Sequence, residues 1–235
     1  MKVIGLTEIR ALLDSSDPLP AIEAAFRAYS AGQATVPPVG HLPLEGGDCH
    51  IKYGHLAGEE LYVIKIASGF HGNPSQGLPP GNGCMLVFSA DTGAPLALLQ
   101  DEGWLTDLRT ALAGRLAARL LAPAELSAIG ILGTGVQARF QLEQLKAETA
   151  CRRLLAWGRD RDRLRTFLDD AERLGFTAHA ASPQEIASAC RLIVTTTSAS
   201  APLLQADWIR PGTHVTAMGA DTPGKQELDP ALLQR

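Results

Sequence analysis

The chain has 235 residues, 46% hydrophobic and 20% charged, with a formal net charge of −4 at neutral pH. That length suits one large domain or two small ones with ample core. The mild acidity excludes an electrostatic footprint for nucleic acid, no basic run suggests a membrane surface, and no apolar stretch approaches the length of a bilayer span. The opening Met1-Lys2-Val3-Ile4-Gly5-Leu6 is interrupted by Glu8 and Arg10 too soon for a signal peptide, so a cytoplasmic location is expected. Cys49, Cys84, Cys151 and Cys190 are scattered, without C-x-x-C or a His/Cys cluster at metal spacing. Reduced, mostly buried thiols and no metal are the expectation.

Residues 7–13 read as a short helix capped by Thr7. Residues 18–30 read as a second, with Ala21, Ile22, Ala25, Phe26 and Tyr29 at helical spacing and Gly32 as a stop. From Ala34 the period changes. Residues 49–53, 61–67, 85–89 and 96–100 read as strands separated by Gly/Asp/Pro turns, which predicts an antiparallel or mixed sheet. Residues 104–121 form a long helix with Leu105, Leu108, Leu112, Leu116 and Leu120 along one stripe, and Pro123 lies just past its end.

After Ser127 the rhythm becomes strand–helix alternation. Strands are expected at 129–132, 153–157, 176–179, 192–196 and 214–217, and helices at 136–148, 161–174 and 183–189. Residues 206–209 remain an unassigned segment. Such alternation means a parallel sheet with helices on both faces. The expected fold is therefore α/β: a Rossmann-type doubly wound parallel sheet over residues 123–235, preceded by an α+β sheet domain over residues 1–122. A further helix is expected to start at Glu227. A two-halved dinucleotide fold usually adds a sixth strand after it, so the second domain is expected to be incomplete at its C-terminal side.

The strand at 129–132 runs into Gly133-Thr134-Gly135-Val136-Gln137-Ala138, a G-x-G-x-x-A turn that opens a helix. Gly133 permits the tight turn, Gly135 lets backbone approach a pyrophosphate, and Ala138 lets helix pack on strand. The helix start then offers free N–H groups and a positive dipole end to phosphate. At the end of the next strand, where an acid would bond the ribose hydroxyls of NAD, stand Gly158 and Arg159. A guanidinium without that carboxylate favours a 2′-phosphate, so NADP(H) is preferred, with NAD(H) possible if Asp160 swings in.

Several stretches together resemble the ornithine cyclodeaminase/mu-crystallin family over residues 20–235. They include Tyr62-Val63-Ile64-Lys65-Ile66, Gly77-Leu78-Pro79-Pro80-Gly81-Asn82-Gly83, Leu108-Arg109-Thr110-Ala111, the turn at 133–138, and Gly212-Thr213-His214-Val215-Thr216-Ala217-Met218-Gly219-Ala220-Asp221. The resemblance implies a homodimer paired through the N-terminal domain, acting on a small amino or imino acid by hydride transfer to or from nicotinamide. Lys65 stands at the family's substrate-carboxylate lysine and Arg109 at the arginine of its R-T-A motif. Asp221 stands at the catalytic acid/base that meets the substrate amine. Thr195, Met218, Gly219 and Lys225 match positions lining nicotinamide and ribose. Val136 and Gln137 match the pyrophosphate turn, and Asn82 lies near a position contacting cofactor or substrate.

Lys52, on the preceding strand, is a second candidate cation for the substrate. One departure stands out: the family carries an arginine soon after a Pro pair, whereas residues 36–42 hold none and His41 takes the place. An imidazole is a poorer carboxylate clamp than a guanidinium. Three functions follow from the resemblance: an imine reductase or amino-acid dehydrogenase with a substrate such as pyrroline-2-carboxylate, an ornithine cyclodeaminase yielding proline and ammonia, or a catalytically weak NADP(H)-binding protein.

Overall fold

The structure, a computed structural model, describes residues 1–70 and 72–234 and divides into two compact units, Met1–Thr106 and Asp107–Arg235. In the first unit the elements are β1 (Lys2–Gly5), α1 (Leu6–Asp14), α2 (Leu19–Ser30), β2 (Ala34–Thr35), β3 (Gly40–Leu44), β4 (Gly47–Leu56), β5 (Leu61–Phe70), β6 (Gly81–Ser89) and β7 (Pro95–Gln100). They build one seven-stranded mixed sheet in the order β1-β7-β6-β5-β4-β2, with β3 also paired to β4. β1 runs parallel to β7 and every other pair is antiparallel.

Three of those strands escape the sequence pattern for physical reasons. β1 and β2 are only four and two residues long. β3 contains Pro43 and is exposed at every position, so no inward-facing apolar alternation marks it. The expected cap at Thr7 is also corrected. The chain passes from β1 straight into α1, Gly5 occupies the N-cap in extended backbone without a side-chain bond, and Thr7 lies inside the helix.

The second unit holds α3 (Trp104–Leu121, whose first residues belong to the first unit), β8 (Ile129–Leu132), α4 (Val136–Glu148), β9 (Arg153–Trp157), α5 (Arg161–Arg173), β10 (Thr177–Ala180), α6 (Pro183–Ala189), β11 (Leu192–Thr195) and β12 (His214–Ala217). The sequence reading puts the boundary at 122–123, whereas the division falls in the first turn of α3. Contacts along the helix account for the difference. The Gln141 amide donates to the Thr110 carbonyl, and Arg115 and Arg119 both reach Glu148 on α4. Leu108, Leu112 and Leu116 are buried as the stripe predicts, while Leu120 is left exposed near the helix end.

The five strands are all parallel, in the order β10-β9-β8-β11-β12. In order of appearance within the unit this is 3-2-1-4-5, so the chain reverses direction across the sheet at β8. Alternation along β8 shows the two covered faces. Ile129 and Ile131 join a core with Leu142, Leu154 and Phe167, while Leu132 joins another with Ile186, Ile193 and Leu204. Cys190, fully buried in the second core, has its thiol pushed up to about 12 by burial, which leaves it an inert packing group. Residues 206–209 resolve as a single 3₁₀ turn, Ala206–Trp208. The helix expected from Glu227 is not formed. Leu228 bridges Leu204 in parallel, Pro230–Gln234 is a 3₁₀ turn, and Arg235 lies outside the described residues.

Candidate functional site

In the second unit Leu132, Thr195 and Ala217 are register partners, so the turns that follow β8, β11 and β12 leave the sheet at one edge. This is the carboxyl edge where open parallel sheets bind ligands. Gly133 has φ +120, and a Cβ there would strike Thr196, so both backbone and packing demand glycine. Gly135 is different. Its φ of −86 suits any residue and a Cβ would meet nothing within 4 Å, so no local protein contact requires a glycine. What its missing side chain leaves open is the space above the turn.

Gly135 is also the N-cap of α4, without a side-chain cap bond and with no acid in the first turn. By contrast, α5 is capped by Asp160, and α6 by a reciprocal Ser182–Glu185 box. The N–H groups at the start of α4 thus have no side-chain acceptor, the condition under which a helix start receives phosphate. Arg139 supports the turn from behind, its guanidinium donating to the carbonyls of Thr134 (2.7 Å) and Gly135 (3.2 Å) and to Asp170. Val136 is exposed beside the turn, Ala138 is fully buried in the first turn of α4, and the Gln137 amide donates to Asp107 on α3.

A groove of about 420 Å³ runs along this edge, lined by Gly133 and Thr134 on one side, Gly158, Arg159, Asp160 and Arg163 on another, and Thr196 to Ala201 on a third. A Cβ at Gly158 would lie 2.5 Å from the Thr134 methyl, so a larger residue there would have to displace the Thr134 side chain. Asp160 lies in the groove wall, but one of its oxygens accepts from the backbone N–H groups of Asp162 and Arg163 (both 3.0 Å). That capping, led by the Arg163 N–H, holds the Asp160 carboxyl below its ordinary range.

The residue that organises the edge is Glu227, which sequence reasoning missed. It is fully buried, and its two oxygens accept four hydrogen bonds. Oε1 takes the Thr197 backbone N–H (2.5 Å) and hydroxyl (2.7 Å); Oε2 takes the Thr195 hydroxyl (2.8 Å) and the Gly219 N–H (2.8 Å). A Cβ at Gly219 would collide with Thr197 and the Glu227 carboxylate, so the close approach needs glycine. One expectation is adjusted in consequence. Thr195 is fully buried with its hydroxyl committed to Glu227, which places its side chain behind the groove rather than in it. Met218 donates its N–H to the Thr195 carbonyl and packs its side chain against the first core.

Beyond β12, the Lys225 ammonium sits 2.6 Å from Asp221. Asp221 also acts electrostatically on Arg109 of α3, whose pKa is lowered chiefly by desolvation, against which Asp107 and then Asp221 act. Arg109 nevertheless keeps solvent-accessible surface. The structure therefore places Arg109 in one electrostatic neighbourhood with Asp221 and Lys225, which follow it far along the chain.

In the first unit, Lys52 and Lys65 are direct cross-strand partners on β4 and β5 and share one face. His41 pairs with His50 on the same face, two residues along from Lys52. Asn82, near the start of β6, is exposed and accepts the Gly83 N–H with its side-chain oxygen.

Comparison with known proteins places this geometry in context. The model of the ornithine cyclodeaminase/mu-crystallin family matches residues 2–235. An alanine dehydrogenase from Archaeoglobus fulgidus is 38% identical over 237 residues, covering 100% of this chain and 72% of that protein. The solved structure of an archaeal alanine dehydrogenase dimer with bound NAD superposes with a TM-score of 0.92 at 35% identity, covering 100% of this chain and 72% of that one. The Δ1-pyrroline-2-carboxylate reductase of Thermococcus litoralis, solved with NADH and L-proline, gives a TM-score of 0.91 at 27% identity, covering 100% and 73%.

Proposed function

The chain belongs to the ornithine cyclodeaminase/mu-crystallin family, and from that premise we propose that it is an NAD(P)-dependent oxidoreductase acting on an amino acid or a cyclic imino acid of the pyrroline-2-carboxylate kind. The observation that carries this reading is a pairing within one unit. An uncapped glycine turn is shaped for pyrophosphate, while Arg109 and Asp221 lie in each other's field.

Gly133, Thr134, Gly135, Val136 and Gln137 would hold the pyrophosphate on backbone N–H groups, and Ala138 keeps α4 close to β8. Met218, Gly219 and Lys225 would border the nicotinamide end, with Thr195 behind them. When bound, nicotinamide supplies the carbon that takes or gives the hydride. Arg109 would orient the substrate carboxylate through its planar fork. Asp221 would take the proton from the substrate ammonium before oxidation, or return one to the nitrogen during reduction. Lys225, 2.6 Å away, would hold that carboxylate in place. On the first unit, Lys65 and Lys52 give the sheet a cationic patch suited to a carboxylate, with His41 on the same face, and Asn82 adds a polar group near the start of β6.

The preferred nucleotide in this reading is NADP(H). Gly158 leaves no acid at the end of β9, Asp160 is engaged in capping α5, and Arg159 and Arg163 line the groove. The solved relatives with NAD and NADH make NAD(H) the competing choice. A homodimer is also part of the proposal. Leu42, Leu44, Ile51 and Tyr53 project from one face of the β3–β4 hairpin, opposite the face bearing the lysines, and all four are exposed.

The test follows reduced-cofactor absorbance with pyrroline-2-carboxylate as substrate. Oxidation of NADPH with a lower KM than NADH, and loss of turnover in Asp221→Asn with cofactor affinity retained, are expected. Full turnover in Asp221→Asn would remove the acid/base assignment. A clear NADH preference would remove the role of Arg159. Ammonia release from ornithine without net cofactor oxidation would favour the cyclodeaminase reading instead.

A further inference from the structure

The β3–β4 hairpin carries a group of side chains that none of the proposed chemistry uses in full. His41 on β3 is the direct cross-strand partner of His50 on β4, and Asp48 lies two residues before His50, so all three project from one face. The turn between them, Glu45-Gly46, is two residues long, with Gly46 at φ +79, which fixes this register tightly. The two imidazoles are stacked with ring centroids 4.7 Å apart. Asp48 presents one oxygen 3.8 Å from His41 Nε2 and the other 3.6 Å from His50 Nδ1. One ligand atom from each residue can be chosen so that all lie within 4.8 Å of one another.

We propose that His41, Asp48 and His50 form a binding site for one divalent transition-metal ion of the zinc class. A D-x-H pair on one strand, with a histidine opposite on its neighbour, puts three nitrogen and oxygen donors around one point. Metal–ligand bonds of about 2.1 Å in a tetrahedron require donors about 3.4 Å apart. The carboxylate-to-imidazole separations already approach that value, and the remaining gap closes by rotating side chains that are partly solvent-exposed. Two imidazoles and one carboxylate suit zinc, copper or nickel rather than calcium or magnesium, which prefer all-oxygen shells. Three protein ligands leave a coordination position open to water or an anionic oxygen. The sequence reading expects no metal because it looks for His/Cys clusters at familiar spacings. Here the third ligand comes from across a hairpin whose first strand the pattern did not mark.

The experiment is calorimetric titration of the intact, untagged, chelator-stripped protein with Zn²⁺. One equivalent per chain should bind with micromolar or tighter affinity. His50→Ala and Asp48→Asn should each weaken it by at least about tenfold, since losing even an outer-shell partner of a metal costs that much. His55→Ala serves as the control. His55 lies on the opposite face of β4 and reaches the Glu59 carbonyl, so zinc binding should be unchanged. Circular dichroism of each variant checks that the hairpin unit stays folded. Co²⁺ loading should give visible bands without the near-ultraviolet thiolate charge-transfer band. Absence of saturable binding, unchanged binding in both ligand variants, loss in His55→Ala, or a thiolate band would each overturn the site.

Discussion

Glu227→Gln replaces one oxygen of a fully buried carboxylate by an amide nitrogen and keeps its volume. Each carboxylate oxygen serves one hydroxyl and one backbone N–H: Thr197 at Oε1, and Thr195 with Gly219 at Oε2. A hydroxyl can rotate and accept from the amide instead, but a backbone N–H cannot. Whichever way the Gln amide is turned, its NH₂ faces either the Thr197 N–H or the Gly219 N–H. One backbone donor is therefore left unpaired in the interior, at a cost of about 1–3 kcal/mol. For a chain of this length that corresponds to a fall in Tm of about 2–12 °C. Glu227→Ala orphans both N–H groups and opens a void, so its loss should exceed that of Glu227→Gln.

Thermal unfolding of both variants beside the parent provides the measurement. A Glu227→Gln protein with the parent's Tm would refute the reasoning, because it would mean the four donors are satisfied without the second oxygen. Functional readout separates structure from positioning. The groups Glu227 holds lie at or just beyond the ends of β11 and β12, so substrate turnover should fall more than the affinity of the folded protein for the pyrophosphate part of the cofactor, which is proposed to rest on the turn after β8.

Gly135→Ala should leave stability within about 1 kcal/mol of the parent, the reduced freedom of the unfolded chain offsetting the poorer N-cap. It should weaken cofactor binding by at least about tenfold, or 1.4 kcal/mol, because the new methyl occupies the open space above the turn; unchanged affinity by fluorescence titration would remove that turn from the binding site. His214 supplies a pH test. Burial lowers its pKa below 6.5, so the unfolded chain binds its proton first as pH falls and stability drops on acidification below about 6.5. His214→Gln should flatten the decline in Tm between neutral and mildly acidic pH, and an identical profile in parent and variant would exclude this histidine as the cause.

The second unit was legible because β8 and β11 are buried at every position and β9 at its centre, so they read as short apolar runs, while Gly135, Asp160 and Ser182 mark the helix starts and Gly212 and Gly219 bracket β12. β8, α4, β9, α6 and β12 therefore fall at their expected limits. The first unit was less legible, since β3 is exposed along its length and β1 is recognisable only through its pairing with β7. Cofactor and substrate candidates came from turn chemistry and resemblance. Glu227 has no such signature. It stands among Gln226, Leu228 and Asp229 like a solvated residue, and only the convergence of Thr195, Thr197 and Gly219 turns it inward. The nearest sequence hint is a run of hydroxyl residues after one strand and a glycine after the next, donors that require a common acceptor.

Asp221 and Glu227 stand six residues apart and have opposite environments. The Asp221 side chain keeps 66% of its surface in solvent, whereas Glu227 has none exposed. Their difference follows from how the intervening loop is closed. The Gly219 N–H donates to Glu227, tying the loop at both ends to one buried carboxylate. Within it, the Lys225 N–H bonds the Thr222 carbonyl, Gly224 takes φ +87, and the Lys225 ammonium returns to Asp221. A loop so short, closed at its base and braced by a turn and an ion pair, has few ways to move Asp221 relative to β12. The proton-transfer role proposed for Asp221 needs that fixed placement more than it needs burial. Glu227 supplies the placement and Asp221 keeps the accessibility, so one short segment divides between two carboxylates what neither could provide alone.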